Sequence, residues 1–308
     1  MDYFDLHCDT LSEIHRRGKT LYQNDLHIAA DRADFDRYVQ AFAVFVPDEL
    51  HGDAATDYFL EVVGYAGQKG GFLQSDDAHE AAAFAVCDPL CPTGRMGFLT
   101  VENGNVLAGR LDRIPLLKAQ GVQMLGLTWN AENELAGGSA APNVGLTSFG
   151  VAAIAALELQ EILIDVSHLN DLSFDAVLCR ATRPFVASHS NARAIEPHPR
   201  NLTDRQLRAV FERGGLVGIN YYPLFLGVGH PFDRVYAHVS HMLSLGGGQC
   251  VALGGDFDGA DLDIRLGAID RLPDLYYALQ DRGFDKAVCD DLFFGNAQRF
   301  FAQHSPAG

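Results

Sequence analysis

Basic side chains are scarce in this sequence: 23 Lys and Arg stand against 40 Asp and Glu, a formal net charge of −17. A nucleic-acid partner is therefore not expected, since a phosphate backbone is bound by clustered cations. The few cations must be placed deliberately if an anionic substrate is to be held. Cysteine is sparse too. Six residues are too few for a disulfide scaffold in a chain this long. Cys87-Asp88-Pro89-Leu90-Cys91 could form a redox pair or half a zinc site, but no second Cys pair lies nearby. A reduced, cytoplasmic protein is expected. Long apolar runs are also missing. The longest, residues 151–164, is interrupted by Glu158, Gln160 and Glu161, which argues against a transmembrane helix and a membrane partner. Met1-Asp2-Tyr3-Phe4-Asp5 is acidic and has no apolar core, unlike a signal peptide. With no linker, low-complexity segment or short repeat, one domain over residues 1–308 is expected, with Ser305-Pro306-Ala307-Gly308 as a disordered tail.

What is present is ordinary globular composition, 48% hydrophobic and 20% charged over 308 residues, enough to bury one large core. Short β-branched and aromatic runs alternate with segments of helical period. The runs at 3–9, 40–47, 96–102, 123–129, 162–168, 184–189, 216–222 and 250–256 read as strands. A helix over 106–120 is expected to stop at Gly121. Another over 148–161 carries Val151, Ile154, Ala155 and Leu159 on one stripe. A third starts at Thr203-Asp204 and runs to Gly214, with Leu207, Val210 and Phe211 inward. Eight such βα units predict an α/β fold, a closed (β/α)8 barrel of the TIM type. The open doubly wound competitor lacks its glycine fingerprint after the first strand.

Polar residues with ligand chemistry end most of these strands, and in a barrel those ends meet on the catalytic face. His7 and Asp9 are two apart, so on a strand they point the same way while Cys8 points elsewhere. By itself this also fits a hydrogen-bonded His near a turn. Glu102 follows an apolar run and can bridge two cations with its two oxygens, or simply start a helix. His168 and His189 each end an apolar run in Ser-His, and neutral imidazole suits zinc and related metals. Asp256, after Gly254-Gly255, could be a ligand, a general base or a cap; Asp258 reads as loop support. Arg200, in a proline-stiffened loop, could capture a carboxylate or lie on the surface. His238 and His241 share a helical face without a carboxylate companion and read as surface residues.

Together, His7-Cys8-Asp9-Thr10, Val101-Glu102-Asn103-Gly104, Asp165-Val166-Ser167-His168, Ser188-His189-Ser190 and Gly254-Gly255-Asp256-Phe257-Asp258-Gly259 resemble, in order, the renal (membrane) dipeptidase family of M19 metallopeptidases. The resemblance runs from Asp5 to about Phe301 and includes Asp291-Leu292-Phe293-Phe294-Gly295-Asn296-Ala297, similar to the family's C-terminal helix. It implies an amidohydrolase-like (β/α)8 barrel with two zinc ions: His7 and Asp9 on one, His168 and His189 on the other, Glu102 bridging. It implies Asp256 as the proton-transfer carboxylate, Arg200 as the group holding a dipeptide's carboxylate, and tolerance of a C-terminal D-residue. One departure stands out. Mammalian members have a substrate-binding His after Leu-Thr, whereas here Leu127-Thr128 is followed by Trp129-Asn130. Trp offers only an indole N–H; Asn130 could supply a substrate-binding donor instead. The expected function is dipeptide hydrolysis. The alternatives are hydrolysis of a lactam, lactone or modified amino-acid amide, or a catalytically silent metal-binding protein. A homodimer is the default oligomer to test.

Overall fold

The computed structural model describes residues 1–70, 72–74, 84–86 and 94–304; the Cys87/Cys91 pair and the tail at 305–308 lie outside them. Ten parallel strands are described: β1 Tyr3–Cys8, β2 Arg37–Phe45, β3 Phe72–Gln74, β4 Phe84–Val86, β5 Gly94–Glu102, β6 Val122–Gly126, β7 Leu163–Asp165, β8 Val186–Ala187, β9 Leu216–Ile219 and β10 Val251–Leu253. Eight of them close a barrel in the order β2-β1-β10-β9-β8-β7-β6-β5, with β5 pairing back onto β2. Helices follow the strands, as a chain of parallel strands requires for its crossovers. The eight expected strands are thus the barrel. The short pair β3–β4, which joins β5 at Met96 and Gly97, was not foreseen.

Alternation along the strands sorts two cores. Phe4, Leu6, Val39, Phe98, Met124 and Leu216 form the barrel interior, and Phe300 and Phe301 from the terminal helix Asn296–His304 plug its lower end. Tyr3, Cys8, Leu99, Val101, Val217 and Leu253 face the surrounding helices. Higher in the barrel the interior turns small. A Cβ on Gly218 would lie 2.0 Å, and one on Gly254 1.8 Å, from the Ser188 carbonyl oxygen, so β8, β9 and β10 approach closely just below the mouth. Gly254→Ala should therefore cost about 3 kcal/mol, the upper end of ordinary overpacking, because the obstacle is backbone. Urea unfolding measures it; a change below about 1 kcal/mol would show that the strands can part.

Three expectations about helices need correction. The helix over 106–120 is broken in two, a 3-10 turn at Gly104–Leu107 and a helix at Arg113–Ala119, because Ala108 and Gly109 adopt positive φ. The helix at Ser148–Leu159 buries Gly150, Ala153, Ile154 and Leu157, and Leu159 is 80% exposed. Its sequence is apolar nearly all round, so periodicity alone could not choose the face. His238 is fully buried in the helix Pro231–Ser244, where Nδ1 accepts from the Ala192 N–H and Nε2 donates to the Leu226 carbonyl. Burial lowers its pKa to about 4, and it ties two loops together as a neutral ring. His241 is partly exposed and bonds Asp204 at 2.7 Å. The helix Asp204–Glu212 does start as expected, with Thr203 and Gln206 forming a full capping box. No helix among the described residues is long and apolar enough to cross a membrane.

Candidate metal centre and its cleft

The barrel's C-terminal mouth gathers His7, Asp9, Glu102, His168, His189 and Asp256, all at most 8% exposed. How β1 delivers its two is instructive. Phe4 and Leu6 face inward, so strict alternation would turn His7 outward. Between Asp5 and Cys8 the pairing with β2 slips, since Asp5 faces Gln40 and Cys8 faces Phe42. One extra residue is accommodated there, the signature of a bulge, and a bulge re-aims side chains. His7 and Asp9 then face the mouth and Cys8 the helix layer. The buried Asp5 carboxylate holds this bend, accepting the His7 N–H at 2.9 Å and the Gly255 N–H of the neighbouring strand end at 2.9 Å.

The same device recurs at β7. Asp165 accepts the Ser167 N–H at 2.9 Å and the Ser188 N–H at 3.0 Å. The Ser-His pairs at 167–168 and 188–189 therefore sit in turns just beyond the strands, rather than inside them. His168 and Asp256 have φ of +70° and +60°, a backbone region that costs non-glycine residues about 1 kcal/mol or more and concentrates at functional sites.

Glu102 stands between two groups of donors. Its Oε2 is 3.6 Å from His7 Nε2, while Oε1 is 2.7 Å from His168 Nε2 and 3.7 Å from His189 Nε2. Asp9 Oδ2 lies 3.4 Å and Asp256 Oδ1 4.0 Å from His7 Nε2. The remaining ring nitrogens of the two later histidines are committed elsewhere. His168 Nδ1 donates to Asn130 Oδ1 at 3.0 Å. His189 Nδ1 donates to Ser188 Oγ at 2.7 Å, and Ser188 in turn donates to Asp165 Oδ2 at 2.5 Å. Both Nε2 atoms are thus left with lone pairs, and these face each other at 2.9 Å. Two lone pairs at that distance repel unless a cation lies against them. His7 Nε2 and Asp9 Oδ1 are buried without any hydrogen-bond partner, a costly arrangement in a site meant to stay empty. The ligand atoms of His7, Glu102 and His189, and those of His7, Asp9 and Asp256, lie within 4.8 Å of one another, a set of imidazoles and carboxylates that fits metal ions.

Electrostatics point the same way. Burial, with Arg200 and His7 nearby, holds His168 and His189 well below the usual histidine range, so both rings are neutral. Burial, reinforced by Glu102, raises Asp9 to about 7. Glu102 also rises to about 7, through burial and the charge of Asp256. Burial alone would lower His7, but Asp9, Glu102 and Asp256 outweigh it and lift the ring to about 10. Three carboxylates packed around one imidazole hold a proton tightly when no other positive charge is present.

Asp256 is gripped from outside the expected set. Asn220, past the end of β9, donates to Asp256 Oδ2 at 2.9 Å and is itself fixed by Asn191 and the Tyr222 N–H. Asp258 does support its loop, accepting from Thr10 Oγ1 and the His27 N–H. Asn130 lines the cleft, yet its carboxamide oxygen is engaged with His168 and with Ser139 at 2.9 Å. Arg200 is 5% exposed; its Nη2 donates to the His189 carbonyl at 3.3 Å and its guanidinium lies 5.2 Å from the Phe225 ring centre. Phe225 lines the cleft and Arg200 does not. Burial lowers the Arg200 pKa to about 10, which leaves it a fixed positive charge beside the carboxylates.

Asp5, Asp165, Ser188 and Asn220 are the residues a reading of the sequence passes over. A signal exists for two of them: Asp5 and Asp165 interrupt apolar strands, where an unpaired carboxylate is too costly to keep. Because Ser188 and Asn130 fix the ring nitrogens of His189 and His168, Ser188→Ala and Asn130→Ala should each weaken metal binding by about 10- to 100-fold. Competition against a chelating dye reads this directly; unchanged affinity would show that the rings are held by packing alone.

Above these side chains opens a cleft of about 700 Å3, with Asp9, Glu102, His168 and Asp256 in its lining together with Phe45, Trp129, Tyr222 and Phe225. Solved structures share this architecture. A crystal structure of a metallopeptidase of family M19, dipeptidase AC, matches with 25% identity and a TM-score of 0.85, covering 100% of this chain and 99% of that one. A metallopeptidase from Rhodobacter sphaeroides, liganded with a phosphinate mimic of L-Ala-D-Ala, matches with 24% identity and a TM-score of 0.81 over 99% of both chains. Among curated sequences, an uncharacterized protein of Klebsiella pneumoniae from the pqqA 5′ region is 38% identical over 191 residues, 58% of this chain and 70% of that protein. An uncharacterized dipeptidase of Schizosaccharomyces pombe is 31% identical over 65% of this chain, and the match spans only 51% of that protein's length. The family model of membrane dipeptidase, peptidase family M19, matches residues 1–306. With the motifs, the barrel and the ligand cluster in agreement over nearly its whole length, the chain belongs to the membrane dipeptidase family, M19.

Proposed function

We propose that the chain is a zinc-dependent dipeptidase, with one zinc held by His7 and Asp9, the other by His168 and His189, and Glu102 between them. The observation that carries this reading is the pair of bare Nε2 lone pairs at 2.9 Å beside Glu102, opposite the unpartnered His7 Nε2 and Asp9 Oδ1. Bound there, the ions would bring the pKa of water down to about 7 and polarise the scissile carbonyl.

The chain's own residues supply the rest. With Oδ2 tied to Asn220, Asp256 keeps Oδ1 on the His7 side, where it takes the attacking water's proton and returns it to the leaving amine. Arg200 provides the positive charge that attracts the substrate's carboxylate; since Phe225 lies on it, direct pairing needs that ring to swing aside. Asn130 orients His168 through its carboxamide oxygen, and its N–H2 group is the donor it offers to substrate in the cleft.

The test is a panel of L,L- and L,D-dipeptides with zinc present and absent, run beside N-acyl amino acids, lactams and lactones. The L,D members are included because the Rhodobacter neighbour carries a mimic of L-Ala-D-Ala. Zinc-dependent turnover confined to dipeptides supports the reading; turnover confined to lactams or lactones, or none at all, refutes it.

A further inference from the structure

The cleft has two aromatic corners. Phe45 and Trp129 meet edge to face with ring centres 5.0 Å apart, and Tyr222 and Phe225 meet edge to face at 4.9 Å. All four are partly exposed and line the cleft. Phe45 ends β2 and Trp129 follows β6, so this corner straddles β5. Tyr222 and Phe225 follow β9, four strands round the eight-stranded ring from β5. The corners therefore stand on opposite sides of the mouth, with the ligand cluster between them.

An extended dipeptide bound across that mouth sends its two side chains to opposite sides. Arg200 lies against Phe225, so its charge draws the C-terminal carboxylate toward the Tyr222–Phe225 side. The other corner is left for the N-terminal residue. Trp129 is also 6.3 Å, centre to centre, from the His168 ring, close enough for a side chain resting on it to neighbour the reacting carbonyl. We propose that Phe45 and Trp129 form the subsite for the N-terminal residue's side chain and select apolar, preferably branched or aromatic, side chains there. The proposal rests on the dipeptidase reading. It gives Trp129 a specificity role in place of the polar one that the family's His has at that position: a ring pair offers area and π-faces but no acceptor for a charged or polar side chain.

The experiment compares kcat/KM for Leu-Ala, Phe-Ala, Asp-Ala and Gly-Ala in the zinc-loaded full chain and in Trp129→Ala, Phe45→Ala and Trp129→Phe. The wild type should favour Leu-Ala over Gly-Ala by about tenfold or more and disfavour Asp-Ala. Trp129→Ala and Phe45→Ala should each collapse the Leu-Ala to Gly-Ala ratio most of the way to one, and Trp129→Phe should restore it. In the reversed series, Ala-Leu against Ala-Gly, the ratio should be the same in wild type and variants. A loss shared equally by Leu-Ala and Gly-Ala would overturn the subsite, as would a wild type that cleaves dipeptides with no preference at the first residue. A wild type that cleaves no dipeptide overturns the dipeptidase reading itself, and the subsite with it.

Discussion

Stripping the protein with a chelator should abolish hydrolysis and lower its melting temperature, and the thermal effect should grow as pH rises. The sign follows from three residues. Folded and metal-free, Asp9 and Glu102 titrate near 7 and His7 near 10, each above its value in an unfolded chain. A raised folded pKa stabilises the protein below the unfolded pKa, and that stability is lost as pH climbs through the folded value. The metal-free protein should therefore weaken from about pH 4 upward, most of the carboxylate part going by about pH 8. Bound metal replaces those protons, so its affinity should fall as pH drops below about 10, where His7 gains its proton, and more steeply below about 7. At zinc about a thousandfold above its dissociation constant the gain is about 4 kcal/mol, on the order of 6 °C for a chain of this size. Differential scanning fluorimetry at pH 6 and 8, with and without chelator, measures both slopes. A melting temperature indifferent to chelator at pH 8 would rule out a metal centre.

Asp256→Asn should lower kcat by about 10²- to 10⁴-fold, the usual worth of a positioned proton-transfer group, while zinc content stays near that of the wild type. Asparagine keeps the shape, and its carboxamide oxygen can still accept from Asn220 in place of Oδ2. It removes the basic oxygen that faces His7 Nε2 at 4.0 Å. The decisive comparison is kcat beside metal analysis on the same preparation. If kcat holds within about threefold, proton transfer runs through another group; if zinc is lost with activity, Asp256 is chiefly a ligand.

The gathering of these side chains was legible in the sequence because a parallel barrel sends every strand end to one face, so ligand-type residues at strand ends already imply a shared site. Glu102 needed nothing more than alternation along β5. His7 did need more: alternation from Phe4 and Leu6 gives the wrong face, and the bulge that corrects it depends on Asp5 meeting the Gly255 N–H, 250 positions away. Asn220 and Ser188 were missed for the same reason. Amide and hydroxyl side chains acquire a role only when their partners are known, and here the partners come from other strands. Arg200 was marked as a group that captures a carboxylate or lies on the surface; a linear sequence cannot show that it is buried against Phe225, outside the lining of the cleft. The inward face of the helix at Ser148–Leu159 was undecidable from a segment apolar on every side.

The bond from Gly255 to Asp5 also bears on how the molecule comes into being. β1 is the first strand made and β10 the last, yet they are neighbours, paired at Asp5 and Leu253. During synthesis the growing sheet keeps two open hydrogen-bonding edges, on β1 and on the newest strand, until the final fifth of the chain emerges. Long-range closure of this kind is slow and comes late. A nascent fragment ending before β10 has neither the acid at 256 nor the contact that bends β1, so it is an aggregation-prone sheet without hydrolytic activity. Inertness of C-terminal truncations that stop short of the last strand is built into the circular order of the strands.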